Sequence, residues 1–392
     1  MASLVRWTRP SLQKLPSNNE RVRPFSDVIY MMDNSFAVTP VTRVKLPSKI
    51  ERCSMRAAVL HEFGQPLSLE DIPRPVPRED EVLLQVEACG VCHSDLHLIR
   101  GDWPAFAKLI KRPLTPGHEV VGRVVELGKL VGEELLHQRV GVPWVFWSCG
   151  TCTNCREGRE NICQNRAITG VTVNGGYAEF MIAKASHVIA VPDSLDSAAA
   201  APLFCAGVTV FRALKNADVI QGQRIAVFGV GGLGHLAIQI ARAMEAEVIA
   251  IDVDDAKLSL ARESGAQQTL NSAKEDVGAQ LRNSGGVHLA LVATPAKSAY
   301  DTAFTVLRAG GAVMIVGLPS EPLTFDAVKL ARNEARILTS VVGTRQDVRG
   351  TLALADAGKL KCHVETRPLA QVNEILDEMQ RGALLGRVVL VP

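Results

Sequence analysis

The chain has 392 residues, of which 47% are hydrophobic and 21% charged, and its formal net charge is +2. This length favours two domains, the composition is typical of a soluble globular enzyme, and the near-neutral charge excludes the basic surface of a nucleic-acid-binding protein. No apolar run reaches the roughly 18 residues that a membrane-spanning helix needs. We therefore expect neither a nucleic-acid partner nor a membrane partner.

Residues 1–54 differ from the rest of the chain in their charge. They carry nine Lys or Arg residues against four acidic residues, and no acidic residue precedes Glu20. A basic, acid-poor leader is typical of an organelle transit peptide, but Pro10 and Pro16 would interrupt the amphipathic helix that such a peptide needs. We expect a disordered extension, a leader or an upstream start codon, with the folded protein beginning at Met55. The expected location is cytoplasmic, or mitochondrial or another organelle if the extension is a transit peptide.

The nine cysteines are placed as metal ligands rather than as disulfide partners. Four have close, metal-type spacing, two lie beside other ligand candidates, and no secretory signal precedes them. The remaining Cys53, Cys89 and Cys362 are expected to be reduced thiols, which predicts a reducing compartment.

The first ligand candidates follow a predicted strand over residues 81–88. Cys92 lies just after this strand, His118 follows in Gly117-His118-Glu119, and Cys205 comes later. Taken singly, the cysteines would be buried apolar thiols and the histidine a surface imidazole. Together, two thiolates and one imidazole leave one position of a tetrahedral zinc open, which is typical of a catalytic site. Glu119 is expected near this metal.

Three polar residues around Cys92 suit proton transfer and ligand support. Ser94 is placed to accept a proton from a bound hydroxyl group, and His97 to pass that proton towards solvent. Asp95 is placed to receive the free N–H of a ligating imidazole such as His118. For Ser94 and Asp95 the alternative is ordinary turn chemistry.

A second group of thiols is the most specific local pattern in the chain. Its members are Cys149, Cys152, Cys155 and Cys163. Four closely spaced thiols in a glycine-containing loop predict a closed structural zinc site, which would tie down a loop with little core of its own. The alternatives are an iron–sulfur cluster and, with less support, disulfides.

A dinucleotide-binding turn follows the predicted strand over residues 224–228. Glycines in the pattern Gly-x-Gly-x-x-Gly allow a tight turn, close approach of a pyrophosphate and packing of a helix predicted over residues 233–244. The turn residues expected to bind the cofactor are Gly229, Gly231, Gly232, Leu233 and Gly234.

The next predicted strand, over residues 247–251, ends at Asp252. A carboxylate at this position binds both ribose hydroxyls and repels a 2′-phosphate, so it selects NAD over NADP. Lys257 is a candidate for the adenosine side, with a solvated helix lysine as the alternative.

Further strand-like runs at 288–293 and 312–317 alternate with helical segments near 254–264 and 297–309. This alternation predicts an α/β fold with a doubly wound parallel sheet.

With these residues identified, the chain resembles the zinc-dependent alcohol dehydrogenases of the medium-chain dehydrogenase/reductase superfamily, the enzymes in which the Cys2His zinc site is best known. The resemblance runs from about Met55 to the C-terminus. It is strongest to the microbial, ethanol- and propanol-preferring tetrameric type, as judged from the segments 203–209, 316–319 and 342–347.

The resemblance implies a role for each matching residue. Cys92, His118 and Cys205 hold the catalytic zinc, and Ser94 and His97 form the proton relay. The implied cofactor-binding residues are His93, on the pyrophosphate side, Val316 and Arg345. Trp103 and Trp144 match positions that narrow the alcohol pocket and favour short primary alcohols, with core packing as the alternative.

The resemblance also implies the domain organisation. A mostly β, GroES-like catalytic domain comprises residues 55–205, with the structural-zinc lobe at 149–163, and closes with residues 341–392. A Rossmann domain is inserted at 206–340. Because no long insertion follows Cys163, a homotetramer is expected. The chain departs from the family at residues 136–140, where Gly-Asp-Arg-Val is usual, which puts one loop turn in doubt.

The implied reaction is the reversible oxidation of a primary alcohol to an aldehyde, with two zinc ions per subunit and hydride transfer to NAD. The relay runs from Ser94 through the cofactor ribose to His97. One alternative is another zinc dehydrogenase of the superfamily acting on bulkier or aromatic alcohols. A polyol enzyme usually has a carboxylate at the position of Cys205, and a cinnamyl-type NADP enzyme lacks the acid at Asp252. A non-enzymatic relative that binds zinc or NADH is the alternative from another class.

Overall fold

The computed structural model describes residues 54–319 and 321–392, so the predicted extension lies outside the described residues except for Ser54. The described strands are β1 (Ser54–Val59), β2 (Ser68–Pro73), β3 (Glu81–Gly90), β4 (Glu119–Leu127), β5 (Arg139–Val142), β6 (Val145–Trp147), β7 (Ala167–Ile168), β8 (Phe180–Lys184), β9 (Ile189–Ala190), β10 (Arg224–Phe228), β11 (Glu247–Asp252), β12 (Gln268–Asn271), β13 (Val287–Val292), β14 (Leu307–Ile315), β15 (Arg336–Thr339), β16 (Val364–Pro368) and β17 (Arg387–Val391).

The α-helices alternate with strands mainly in the middle of the chain. They are α1 (His93–Arg100), α2 (Pro104–Ala107), α3 (Thr153–Arg156), α4 (Ser197–Ala200), α5 (Ala206–Asn216), α6 (Gly234–Ala243), α7 (Asp255–Glu263), α8 (Val277–Asn283), α9 (Lys297–Thr305), α10 (Ala327–Arg332), α11 (Arg345–Asp356) and α12 (Val372–Gln380). Short 3-10 helices lie at 133–135, 160–162, 201–204 and 369–371.

The central sheet has six parallel strands in the order β12-β11-β10-β13-β14-β15. This is the doubly wound order 3-2-1-4-5-6 of a dinucleotide-binding domain. The inner strands β10, β11 and β13 are apolar along nearly their whole length because helices cover both faces. The helix predicted over 297–309 ends at Thr305, since pairing with β13 makes a strand from Leu307 onwards.

The second large sheet is mostly antiparallel and has the order β16-β17-β3-β4-β5-β9, with β8 also paired to β3. Its strands come from both ends of the described chain, since Val389 of β17 pairs with Gly90 of β3. The two sheets together confirm the predicted fold class. The domain boundaries given above stay a prediction.

One apolar core connects the two sheets through α5 and α11. It includes Val227 and Leu236 from the dinucleotide-binding region, Phe204 from the 3-10 helix before α5, and Val121 and Val389 from the antiparallel sheet. A separate core fills the other face of the parallel sheet. Two of the catalytic metal candidates and the dinucleotide turn described below follow strands β3 and β10 or directly precede β4, and this core joins these strands.

Within the described residues, no single helix has both the length and the apolar character needed to cross a membrane. The segments Ser197–Phe204 and Ala206–Asn216, bent by 45° at Cys205, pass that test only as a pair and by length and composition alone.

The unusual turn before β5 places His137 at a φ of 64°. This is a left-handed conformation that glycine adopts freely and histidine adopts at some cost, at the position where the family usually has glycine.

Candidate metal centres and cofactor site

The first metal-ligand candidates lie at the ends of three elements. Cys92 occupies the position just before α1, His118 directly precedes β4, and Cys205 lies at the bend before α5. Because β3 and β4 are antiparallel neighbours in which Gly90 pairs with Glu119, the chain ends that carry Cys92 and His118 meet at one edge of the sheet. The start of α5 brings Cys205 to the same place.

The side chains of Cys92, His118, Glu119 and Cys205, which we call the catalytic cluster, each offer one donor atom, and these atoms lie within 4.8 Å of one another. Cys92 is half-buried and the other three are buried. The Cys205 thiol donates to the Cys92 sulfur, which lowers the pKa of Cys92 well below its ordinary value. Thiolate formation is the first requirement for metal binding at this site.

Two buried atoms of the catalytic cluster have no hydrogen-bond partner among the described residues. They are His118 Nε2 and Glu119 Oε2. A buried imidazole nitrogen without a partner costs free energy unless a ligand binds it, and it points to a metal position shared with the two sulfur atoms. Two sulfurs and one nitrogen with a free fourth position fit a catalytic zinc.

Asp95 supports this centre as predicted. Its Oδ1 lies 2.9 Å from His118 Nδ1, so His118 donates its Nδ1 proton and keeps Nε2 free for a metal. Its Oδ2 accepts from the Tyr177 hydroxyl at 2.9 Å and from the Cys92 backbone N–H at 3.1 Å. The Asp95 carboxylate thus orients His118 through the imidazole ring and Cys92 through the backbone N–H.

A buried ion pair connects the catalytic cluster to the dinucleotide turn. The Arg387 guanidinium donates to Glu119 Oε1, and its side chain lies so close to Gly232 that a Cβ atom there would be 2.6 Å from Arg387 Cδ. Burial raises the pKa of Glu119 to about 7, although Arg387 opposes this. Sequence reasoning missed Arg387; the available signal was a single charge at the start of the apolar run 387–391.

The proton-relay candidates lie on α1. Ser94 is half-buried on the first turn, and His97 follows one turn later. His97 Nδ1 lies 2.9 Å from Asp102 Oδ2, and the Asp102 backbone N–H donates to the His97 carbonyl at 3.0 Å. Asp102, which the sequence analysis did not identify, therefore holds the imidazole with Nε2 available.

Three aromatic side chains, Trp103, Phe106 and Trp144, form a continuous row between His97 and His118, which we call the aromatic wall. The ring of Trp103 lies 4.8 Å from that of His97, Phe106 lies 5.6 Å from Trp103 and 6.2 Å from Trp144, and Trp144 meets the His118 ring edge-on at 4.7 Å. Of the two predicted tryptophans, Trp144 thus contacts a member of the catalytic cluster, whereas Trp103 contacts His97 and Phe106. Their role in the substrate pocket stays a prediction. Phe106, a third member of the wall, was not predicted.

The second group of thiols forms a compact cluster in the four-cysteine lobe, residues 149–163. The sulfur of Cys149 lies 3.9 Å from that of Cys155 and 3.6 Å from that of Cys163, and the Cys152 and Cys163 sulfurs are 3.9 Å apart. Four bonds of about 2.3 Å in tetrahedral geometry require sulfur separations of about 3.8 Å. Hydrogen bonds from the Cys152 and Thr151 backbones lower the pKa of Cys149 to about 5. The lobe therefore fits one closed metal site.

The dinucleotide turn has the geometry that its glycines predict. Gly229 has a φ of 88°, and a Cβ atom on Gly234 would lie 1.9 Å from the Gly229 carbonyl oxygen. A Cβ on Gly231 would meet nothing within 4 Å, so this side of the turn is open to a ligand. Gly232 packs against Arg387, and Leu233 directly precedes α6.

Asp252 lies at the end of β11, beside this turn. Its carboxylate accepts from the Val230 backbone N–H at 2.7 Å and from those of Val253 and Asp254 at 2.8 and 3.1 Å. It is therefore fixed where the parallel strands end, at the edge of the sheet where such folds bind nucleotides.

The remaining cofactor candidates are more widely placed. Desolvation is the main cause that lowers the pKa of His93, and the positive charges of Arg387 and Lys257 act in the same direction. Val316 follows β14 and is half-buried. The Arg345 side chain donates to the Ser186 carbonyl at 2.7 Å and pairs with Glu160 of the four-cysteine lobe. The cofactor-binding role of Arg345 stays a prediction.

Two family models match most of the described chain. A model described as alcohol dehydrogenase GroES-like domain matches residues 78–193, and one described as zinc-binding dehydrogenase matches residues 232–357. The fold and the catalytic cluster therefore define a zinc-type dehydrogenase of the medium-chain class.

Known proteins agree with this class. An alcohol dehydrogenase of Geobacillus stearothermophilus is 42% identical over 337 residues, which cover 86% of this chain and 99% of the relative. Among solved structures, acetophenone reductase from Geotrichum candidum NBRC 4597 in complex with NAD matches with a TM-score of 0.80 and 35% identity, covering 89% of this chain and 98% of that one. Alcohol dehydrogenase from Aeropyrum pernix matches with a TM-score of 0.80 and 34% identity, covering 86% and 100%.

The chain thus belongs to the zinc-type alcohol dehydrogenases of the medium-chain dehydrogenase/reductase superfamily. This confirms the predicted family and the predicted enzyme class, an NAD-dependent alcohol dehydrogenase.

Proposed function

We propose that this enzyme oxidises short primary alcohols to aldehydes, reversibly, with transfer of a hydride to NAD in preference to NADP. The observation that carries the substrate class is the aromatic wall beside the catalytic cluster, in which Trp144 lies edge-on to His118 and Phe106 and Trp103 continue to His97. Bulky rings against the metal position leave room for a small alcohol.

The residues divide the chemistry between them. Cys92, His118 and Cys205 would hold a zinc ion, which as a Lewis acid lowers the pKa of an alcohol hydroxyl group. Ser94 accepts the proton that the hydroxyl loses, and His97, whose orientation Asp102 fixes, passes it to solvent. The turn 229–234 holds the cofactor, which supplies the hydride chemistry.

The preference for NAD rests on Asp252. Its carboxylate is anchored by three backbone N–H groups, so it cannot move away from a 2′-phosphate. Repulsion between the two negative charges, and the loss of a ribose hydrogen bond, would both weaken NADP binding.

The test is a steady-state assay of the purified protein with ethanol, 1-propanol and benzyl alcohol, comparing NAD with NADP at equal concentration. Turnover of ethanol mainly with NAD supports both parts of the proposal. Turnover mainly with NADP would overturn the cofactor preference, and turnover of benzyl alcohol alone would overturn the substrate class.

A second candidate substrate class comes from the acetophenone reductase of Geotrichum candidum, whose name indicates an aromatic ketone as substrate. In that case the aromatic wall would stack with a phenyl ring instead of excluding it. The variant Trp144→Ala separates the two possibilities. If the wall excludes bulk, the variant gains activity on 1-phenylethanol; if the wall stacks with the ring, the variant loses it.

We propose two zinc ions per chain, one in each cysteine-containing cluster. Support comes from the two separate groups of donor atoms, each within 4.8 Å. Metal analysis of purified protein by mass spectrometry should give a zinc-to-chain ratio near two, and iron in place of part of the zinc would indicate an iron–sulfur cluster in the four-cysteine lobe.

We also propose a homotetramer. In the described residues, β15 is an edge strand of the parallel sheet, and exposed apolar side chains surround it: Leu318, Phe325, Val328, Ile337 and Val341. An open apolar sheet edge is normally covered, and a second copy of the chain would cover it. Light scattering coupled to size-exclusion chromatography should give four chains, and a monomer or a dimer would overturn the proposal.

For the location we propose the cytoplasm, a reducing compartment in which cysteines of this kind stay available for metal. The eight cysteines of the described residues are free thiols. Fractionation of cells producing the full chain tests this, and recovery of a shortened protein in mitochondria would overturn it.

A further inference from the structure

His235 is a buried histidine that the proposed reaction does not use. It directly follows Gly234, lies in the first turn of α6, and has no exposed surface. It belongs to neither of the two donor groups. A polar ring at this depth must have its hydrogen bonds satisfied by the protein, and its partners show what it does.

The two ring nitrogens have different partners. Nδ1 lies 2.9 Å from the Gly231 carbonyl oxygen, and Nε2 lies 3.2 Å from the His363 backbone nitrogen. A carbonyl only accepts and a backbone N–H only donates, so Nδ1 carries the proton and Nε2 is the acceptor. Burial supports this neutral form by lowering the pKa of His235 to about 4.

The first contact fixes a peptide of the dinucleotide turn. In a trans peptide the carbonyl of Gly231 and the N–H of Gly232 point in opposite directions. The Gly231 carbonyl accepts from His235 Nδ1 at 2.9 Å and also from the His235 backbone N–H at 3.3 Å. Both donors hold the carbonyl towards α6, so the Gly232 N–H faces the other way. Outward N–H groups at a helix start are what a pyrophosphate binds, and the open space at Gly231 leaves room for it.

The second contact ties the same turn to the C-terminal part of the chain. The His363 carbonyl accepts from the Arg387 backbone N–H at 2.9 Å, and the Arg387 side chain reaches both Gly232 and Glu119. One turn further along α6, the Gln239 side chain makes two hydrogen bonds to the Lys361 backbone, at 2.8 and 2.9 Å. Gln239 binds the same segment as His235, and its remaining hydrogen bond goes to the His235 carbonyl at 3.1 Å and not to the glycines.

We propose that His235 is a positioning residue for the cofactor pyrophosphate, which it orients through the Gly231–Gly232 peptide while locking the dinucleotide turn to segment 361–363. This role adds a residue to the proposed cofactor site, and it rests on the proposed function of that site. Gln239 performs only the second task, so it provides a matched control on the same helix.

The experiment measures binding of NADH and inhibition by ADP-ribose and by adenosine, which lacks phosphate, in the zinc-loaded enzyme. His235→Asn keeps a donor at the Nδ1 position, and His235→Gln keeps an acceptor at the Nε2 position. We expect His235→Gln and His235→Phe to weaken NADH and ADP-ribose about tenfold, with adenosine unchanged. His235→Asn and Gln239→Leu should stay within about twofold of wild type for all three ligands, with a lowered melting temperature.

Equal NADH and ADP-ribose affinity in wild type, His235→Gln and His235→Phe would overturn the inference. A parallel loss of adenosine binding would also overturn it, because that pattern indicates general distortion. If His235→Phe does not fold, the Asn and Gln variants decide the question. Wild-type protein that binds neither NADH nor NADPH would overturn the cofactor function as well, whereas wild-type binding with unaffected variants overturns only the inference.

Discussion

The catalytic cluster takes Cys92, His118 and Cys205 from three separate parts of the chain, whereas the four-cysteine lobe takes all its thiols from residues 149–163. The catalytic cluster is mostly buried, and a carboxylate, a phenol and an ion pair surround it. In the lobe, three of the four cysteines are partly exposed and their nearest polar partners are one another and the local backbone. The catalytic cluster therefore depends on the tertiary fold to bring its residues together. In the four-cysteine lobe, by contrast, bound metal would hold the loop in its conformation.

This difference predicts that loss of a ligand has opposite consequences in the two clusters. Cys205→Ser should lower kcat/KM for ethanol by about a thousandfold or more, because the Lewis acid is lost or misplaced. The fold should remain, since the surrounding core does not depend on the metal. Steady-state kinetics with metal analysis checks this, and Cys89→Ala, a buried thiol outside both clusters, is the control. Retained activity with full zinc content would contradict the ligand assignment.

The converse variant is Cys155→Ser in the four-cysteine lobe. We expect its melting temperature to fall by about 5–10 °C, since the metal supplies folding free energy to a loop with little core. Turnover per folded molecule should change by less than about threefold. Scanning calorimetry and an assay well below the transition separate the two effects. A loss of turnover as large as that of Cys205→Ser would show that the two clusters do not differ in this way.

The comparison is sharpened by removing a supporting group instead of a ligand. Asp95→Asn keeps the shape but loses the charge that orients His118, so zinc affinity at the catalytic cluster should fall about 10- to 100-fold. Competition with a chelator measures this, and the zinc of the four-cysteine lobe serves as an internal reference. Tyr177→Phe, which removes one hydrogen bond to Asp95, should have a smaller effect. Equal loss from both clusters would contradict the assignment of Asp95.

The pH dependence of stability tests a group outside both clusters, the buried imidazole of His235. Burial lowers the pKa of His235 to about 4, against about 6.5 in an unfolded chain. The unfolded state takes up the proton first, so the stability that this neutral imidazole provides is complete above pH 6.5 and is lost as the pH falls towards 4.

The stability advantage of wild type over His235→Leu should therefore shrink by about 2 kcal/mol between about pH 7.5 and 5. Acid also protonates the cysteine ligands, but that effect is common to both proteins and cancels in the difference. Denaturant titrations at several pH values give the result. Parallel stability curves would show that the imidazole is not neutral in the fold.

Much of the fold could be read from local patterns. A short stretch of sequence was enough to predict three features. They are the glycine turn, the apolar strands 224–228 and 247–251, and the four close cysteines. Cys92, His118 and Cys205 required more, because they are far apart in sequence and were grouped by the chemistry of a zinc ligand set and by the resemblance. The exact end of α9 was missed, since strand pairing at Leu307 overrides local preference.

Groups whose role depends on a distant partner were the hardest to predict. Arg387 was missed because its meaning comes from Glu119 and Gly232, which lie far away in sequence. Asp102 could have been found, since a carboxylate after a C-terminal glycine turn can reach back to His97. Arg345 was assigned to the cofactor from the resemblance, and its pairing with Glu160 of the four-cysteine lobe was not predicted.

The strands β6 and β7 flank the four-cysteine lobe and pair with each other, with Trp147 opposite Ala167. The lobe is therefore the loop of a β-hairpin, and its two ends are already held together without it. Insertions and deletions at such a place cost little chain entropy. Among the described residues, the hydrogen bonds from the lobe to distant segments are those of Glu160 and Asn161 with segment 341–345. A shortened protein with a tight turn between these strands would have to replace them. The lobe is in this sense a detachable module, which a lineage can gain or lose without rebuilding the sheets.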